Sequence, residues 1–286
     1  MGFAVVSRRK EKMSKVKALL FAVSVVPFAL WAQNLVNNGD AETGLENWNQ
    51  DQVQVVTENP HSGENCFKMI NPYGKIIGTA VIPVDGTKTY KYSGWFKSVD
   101  DKKPTIYLGL SPMTSDKKTI TALQVNAMQG TDTALAVGCK PEDTVIKVKN
   151  ASSWKFDDGC TFIAFDTDDS GEYKDLPNEN VTASEITKIE KKDNVWEVTL
   201  KKPCGMAYTA ETKVRAHHAG GYMYATHVKE FQSKDWKEVA AEIKGTMKSG
   251  AGGKQFWPGT KYVQIVILAG GGGMLYLDDI QLEEVK

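Results

Sequence analysis

The chain has 286 residues, in which 35 Lys and Arg balance 35 Asp and Glu. The first 32 residues hold six basic side chains and one acidic, leaving 29 basic against 34 acidic in the remainder, a net charge near −5. A mildly acidic body has no electrostatic footprint for nucleic acid or anionic lipid, so the expected partners are neutral or only locally charged.

Arg8, Arg9, Lys10, Lys12, Lys15 and Lys17 form a basic start, Ala18 to Trp31 is apolar, and small Ala32 precedes polar Gln33. This is the pattern of a secretory signal peptide over residues 1–32, too closely followed by polar sequence to span a membrane. The protein is therefore expected to be secreted, periplasmic or on the cell surface, with no membrane insertion. No Cys follows the apolar stretch, which argues against a lipid anchor.

Residues 34–48 predict a strand, a Gly39-Asp40 turn and a Trp48 anchor, and His61-Ser62-Gly63-Glu64-Asn65-Cys66 predicts a turn feeding a strand. In Tyr90-Lys91-Tyr92-Ser93-Gly94-Trp95-Phe96-Lys97, residues 90, 92 and 96 share one face and 91, 93, 95 and 97 the other. The first set is apolar and belongs to the core, which leaves Trp95 outside among Lys91, Ser93 and Lys97. Ile106-Tyr107-Leu108-Gly109-Leu110 repeats the logic, with Tyr107 outward.

The texture changes over 131–216, where short alternating strands are separated by Asp-Asp, Asp-Gly and Asp-Asn turn signals. Gly220-Gly221 then returns the chain, and Tyr222 and Tyr224 open the next strand. Later, Tyr262 and Gln264 flank the inward set Val263, Ile265 and Ile267. Glycine clusters at 250–253 and 270–273 mark loop apices. The last strand, Leu275 to Leu282, carries Asp278 and Asp279. Strand-forming ends this far apart predict a sandwich that begins and ends in one sheet.

The expected fold class is all-β: a jelly-roll β-sandwich with an inserted small β-barrel-like domain. The sandwich takes residues 33–130 and 217–286, and the insert, 131–216, interrupts one of its loops, where added chain costs little.

The opening Asn38-Gly39-Asp40-Ala41-Glu42 and the closing Leu277-Asp278-Asp279-Ile280, with 61–66 and 86–97 between them, resemble carbohydrate-binding modules of the jelly-roll type in families 4, 9 and 22. Ala41 stands where those modules usually carry an aromatic. The resemblance implies a secreted, non-catalytic binder of a polysaccharide or glycan, with aromatic residues along a concave sheet face. It nominates Trp95 and Tyr107 first, then Tyr222, Tyr224, Tyr262, Gln264 and Trp257. Aromatic rings on a polar face suit sugar, because pyranose C–H faces stack on them while neighbouring polar groups take the hydroxyls. Trp48 and Trp236 are assigned to packing.

The same resemblance implies one structural Ca2+ where the end strands meet, held by Glu42, the Gly39 carbonyl, Asp278 and the carbonyl near Asn65, an oxygen set suited to that ion. The insert is similar to small all-β domains of secreted and phage-tail proteins, through Glu142-Asp143-Thr144-Val145-Ile146-Lys147-Val148 and Ala210-Glu211-Thr212-Lys213-Val214. It is the expected surface for a protein partner.

No catalytic residues are nominated, since the sequence holds neither G-x-S-x-G nor H-E-x-x-H. His217 and His218 are adjacent and should point to opposite faces. The acidic run Asp157, Asp158, Asp166, Asp168, Asp169 and Glu172 predicts solvated turns. Cys66, Cys139, Cys160 and Cys204 allow three pairings and no C-x-x-C; buried thiols and one bridge within 139–204 both remain open. Two other functions share the scaffold: an adhesion or structural protein without a glycan ligand, and a polysaccharide lyase or hydrolase.

Overall fold

The computed structural model describes residues 1–2, 33–157 and 159–285. The segment read as a signal peptide lies, apart from its first two residues, outside the described residues, as does Asp158. No helix among the described residues is long and apolar enough to cross a membrane.

The strands are β1 (Val53–Val56), β2 (Cys66–Met69), β3 (Lys75–Ile77), β4 (Ile82–Pro83), β5 (Thr89–Ser98) and β6 (Thr105–Met113). One helical turn, α1 (Ala122–Val125), precedes β7 (Thr133–Ala134), β8 (Val145–Val148), β9 (Thr161–Phe165), β10 (Ile186–Lys192), β11 (Val195–Leu200) and β12 (Lys213–His218). The chain closes with β13 (Met223–Val228), β14 (Lys237–Lys244), β15 (Tyr262–Gly270) and β16 (Leu275–Val285). A first sheet runs β1-β2-β16-β5-β14 and a second β13-β6-β15-β3, with β4 also on β15. Together they form an antiparallel jelly-roll sandwich.

Alternation sets the core as the sequence predicts. Tyr90, Tyr92 and Phe96 from β5 meet Ile106, Leu108 and Leu110 from β6 and Val263, Ile265 and Ile267 from β15, all at most 3% exposed. Each such side chain stabilises the fold by about 1.5–3 kcal/mol, and a one-residue slip would turn the whole set to water. Gly94 shares their face; a Cβ there would lie 2.5 Å from Ile280 Cδ1, so its absence admits the Ile280 side chain.

The two ends of the sandwich lie side by side. Leu35 N donates to Leu282 O at 2.9 Å and Ile280 N donates to Gly39 O at 2.9 Å. Asn34 Oδ1 accepts from Val36 N and Leu282 N, and its Nδ2 donates to Ile280 O. Gly39 permits this approach, because a Cβ there would collide with the Ile280 carbonyl. Within the opening turn, Asn38 Nδ2 donates to Gly44 O and Glu46 O, and Trp48 Nε1 donates to Asn38 O.

Between β6 and β13 the chain builds two further sheets, β10-β11-β8 and β7-β12-β9. They enclose a separate core that includes Leu135, Ile146, Val148, Ile163, Phe165, Val198 and Val214. The incoming and outgoing chains are joined at its base, where Met128 N donates to Ala216 O at 2.9 Å and His218 N to Asn126 O at 3.0 Å. Arg215 is fully buried beside it, paired with Asp175 and with Asp132 at 3.6 Å, its Nε donating to His217 Nε2 at 3.1 Å. The four cysteines are thiols. Burial pushes Cys66 up to about 12, and burial with the neighbouring Cys204 pushes Cys139 up to about 11.

Candidate functional site

The outer face of the second sheet carries a row of tyrosines. Register places Leu268 of β15 and His227 of β13 opposite Tyr107, Gln264 opposite Ser111, and Tyr262 opposite Met113, so these residues share one face. The Tyr107 ring lies 5.0 Å from that of Tyr224 and 5.8 Å from that of His227, stacked at 28° on the latter. Tyr224 meets Tyr222 edge-on at 6.2 Å.

Glycines let the rings lie flat. A Cβ at Gly109 would sit 2.9 Å from Tyr224 Cδ1, and one at Gly221 would sit 3.0 Å from Tyr224 Cε2. Burial, then Tyr222, raises the Tyr224 phenol above its ordinary value, so it stays a neutral hydroxyl. Lys75 Nζ donates to the Tyr222 hydroxyl at 2.8 Å, tying β3 to the opposite edge. Lys117 Nζ rests 5.6 Å from the centre of the Tyr262 ring, and Gln264 Nε2 donates to Thr79 O at 3.0 Å.

Tyr107, Tyr222, Tyr224, Tyr262 and Gln264 thus fall on one surface. Trp95 does not. It sits on β5 of the first sheet and faces outward from the other side of the sandwich, opposite Asp278 and Glu238 in register. Parity gave the outward direction within each strand, but the β5–β6 connection crosses between sheets, so two outward residues look in opposite directions. His61 stacks on the Trp95 indole, and Trp236 meets that imidazole edge-on at 5.6 Å. Trp257, 1% exposed with Nε1 donating to Gly252 O, is a core residue and not an open platform.

The residues nominated for calcium gather around one loop as acceptors of N–H groups. Glu42 Oε1 accepts from Glu64 N and Asn65 N, both at 2.9 Å, and Oε2 accepts from Asn65 Nδ2 at 3.2 Å. These bonds hold the Glu42 carboxyl below its usual range. Asp278 Oδ2 accepts from His61 N at 2.8 Å and Ser62 N at 3.2 Å, and Oδ1 from Asp279 N at 2.8 Å. The Gly39 carbonyl accepts from Ile280 N.

A calcium ion needs six to eight converging oxygens. Here N–H donors point at the carboxylates, and no cluster of three or more His, Cys, Asp or Glu side chains suited to a metal exists among the described residues. The set does not fit the ion. Strand parity with Ile280 and Leu282 would turn Asp278 toward the core. A bulge between Asp278 and Gln281, with Asp279 at φ 46°, puts Asp278 on the Trp95 side while Leu277 and Ile280 enter the core.

His217 and His218 do diverge. His217 is buried, bonded through Nδ1 to Leu123 O and through Nε2 to Arg215, and burial lowers its pKa to about 4; His218 pairs with Asp157. In the acidic run, Asp168 accepts from Ser170 N and Lys174 N, Asp169 pairs with Lys213, and Glu172 with Lys248.

Sequence reasoning passed over three residues of the tyrosine face. His227 and Lys75 follow from register alone. Ser111 had no sequence signal.

Residues 33–149 match the family model described as "Carbohydrate binding domain". No curated protein matches the chain. Among solved structures it is similar to a Family 16 Carbohydrate Binding Module-2, at 12% identity over 88% of this chain and 100% of that one, TM-score 0.37. It is also similar to TmCBM61 in complex with beta-1,4-galactotriose, at 12% identity over 89% of this chain and 100% of that one, TM-score 0.35. A third is the CBM22-1 and GH10 modules of Clostridium thermocellum endo-1,4-beta-D-xylanase 10B complexed with xylohexaose, at 11% identity over 88% of this chain and 29% of that one, TM-score 0.37. The match over 33–149 runs from the opening ribbon through β8.

Proposed function

We propose that the protein is an exported, non-catalytic binder of polysaccharide that holds its ligand against the tyrosine face of the second sheet. The observation that carries this reading is the row Tyr222, Tyr224, Tyr107 and His227, in which each ring lies within 6.2 Å of the next. Sugar rings would stack along the row, and Lys75, Gln264 and His227 would take hydroxyl groups at its margins. The rings rest on strands and glycines, so little ordering entropy opposes binding.

Two features favour binding over hydrolysis. The family model is that of a binding domain. In addition, β3, β4, β6, β13 and β15 contain no Asp or Glu, whereas glycoside hydrolysis needs a carboxyl pair flanking the bond. The basic and apolar start of the chain supports export. Affinity electrophoresis in gels containing xylan, β-glucan or β-1,4-galactan tests the proposal: at least one polymer should retard the protein, and Tyr107→Ala should abolish the retardation. Release of reducing sugar from the retarding polymer would overturn the non-catalytic part.

A further inference from the structure

At the Tyr222 end of the row a cleft of about 280 Å³ opens, floored by Ser111 and Trp257 and walled by the two connections that leave and rejoin the sandwich, Thr119–Ala122 and Gly220–Gly221. We infer that this cleft is a subsite for one terminal sugar residue, so that the protein reads chain ends in preference to chain interiors. The inference rests on the tyrosine face being the saccharide surface.

Position comes first. Ser111 lies on β6 in the same outward set as Tyr107 and Gly109, and Tyr222 belongs both to the row and to the cleft. A chain laid along β6 therefore runs into the cleft and meets the two connections beyond it. Its volume lies just below the roughly 300–1,000 Å³ range of small-molecule sites, which suits one ring and not an oligosaccharide.

The chemistry of the lining agrees. Tyr222 supplies aromatic surface, the edges of Pro112, Ile120 and the buried Trp257 form an apolar floor, Ser111 and Thr119 supply hydroxyls, and no charged side chain takes part. That mixture fits an uncharged polyhydroxylated ring and offers nothing to a phosphate or a uronate. Ser111 is 6% exposed, and its hydroxyl has no protein partner among the described residues. Among the described residues only Thr167 Oγ1 is buried without a partner, so the Ser111 hydroxyl is open to water in the cleft, and a ligand hydroxyl would take that water's place.

Glycine keeps the cleft open. A Cβ at Gly220 would press on Ala122 Cβ at 3.0 Å, and one at Gly221 on the Tyr224 ring.

The test uses the full chain with three probes, xylohexaose, cellohexaose and β-1,4-galactotriose, by titration calorimetry and saturation-transfer NMR. Thr119→Trp fills the cleft from an exposed position, Ser111→Val deletes the hydroxyl at similar volume, and Tyr107→Ala reports on the row; circular dichroism and melting temperature check each fold. The expected result is a loss of roughly tenfold or more in affinity for both cleft variants, with saturation strongest at a terminal residue of the bound probe. Binding weakened by Tyr107→Ala yet unchanged by Thr119→Trp and Ser111→Val overturns the cleft and leaves the tyrosine face standing. Even saturation along the probe likewise overturns it. No binding of any probe overturns both readings together.

Discussion

The indole of Trp95 stacks on the imidazole of His61 at a centroid separation of 3.9 Å and an interplanar angle of 17°. The same loop is gripped from below by Asp278 at the amides of His61 and Ser62, and by Asp279, which takes the Ser62 hydroxyl at 2.8 Å and His61 Nδ1 at 2.6 Å. Trp95 therefore works as the seat of a loop. Trp95→Ala should lower stability by about 1–3 kcal/mol, a stacking and packing loss. Denaturant melts measure it, and polysaccharide retardation should be unchanged.

The opposite pattern is expected on the other sheet. Tyr107 and Tyr224 are half-buried and share one ring contact, so replacing either with Ala should weaken polysaccharide binding roughly tenfold or more while moving the melting temperature only slightly. Affinity gels and thermal melts run on the same protein would separate the two outcomes.

Asp278 links stability to pH. Burial, ahead of the amide bonds that oppose it, raises its carboxyl from 3.8 to about 6. The fold thus favours the protonated form: this group's contribution is fully present below pH 3.8 and is lost as pH rises through about 6. The loss is at most about 3 kcal/mol. Because Asp279 and His61 stand beside it, the comparison to make is wild type against Asp278→Asn. The stability difference, wild type minus variant, should decline from pH 4 to pH 7; a flat difference would contradict the assignment.

Calcium should leave the protein unmoved. With amides directed at Glu42 and Asp278, melting temperatures in excess EDTA and in millimolar calcium should coincide. A rise with calcium would show that the loop rearranges to present carbonyl oxygens. By contrast, Glu42→Ala should lower the melting temperature in both conditions, because it frees the amides of Glu64 and Asn65.

Gly39→Ala should be among the most damaging single changes, at about 2 kcal/mol or more, since the added methyl meets the backbone carbonyl of Ile280 where neither ribbon has room to yield. Unfolding in urea measures it.

These particulars show what could be read in advance. Strand alternation located the inward residues of β5, β6 and β15, because one buried face imposes a period of two. The joined ends were legible from strand-forming segments bearing Gly39 and Ile280. Which sheet a strand joins was not, since β5 and β6 are neighbours in sequence and members of different layers. Nor was the bulge at Asp279, which breaks the period at a residue that is not glycine. The calcium expectation came with the family resemblance and named two carboxylates and two backbone carbonyls. Whether amides or carbonyls turn toward those carboxylates depends on loop backbone that residue identity does not report.

The joining of the chain at Met128–Ala216 and Asn126–His218 bears on how the sandwich is assembled. β6 and β13 pair directly, yet β6 ends at Met113 and β13 begins at Met223. A flexible tether of that length slows pairing, because closing it must precede any reward. Once its own two sheets have formed, the intervening unit reduces that search to a short hinge and delivers the two strands already aligned. Formed first, the excursion would act as a splint for the sandwich, and lesions in its buried Arg215–Asp175 pair would then surface as slow appearance of the tyrosine row.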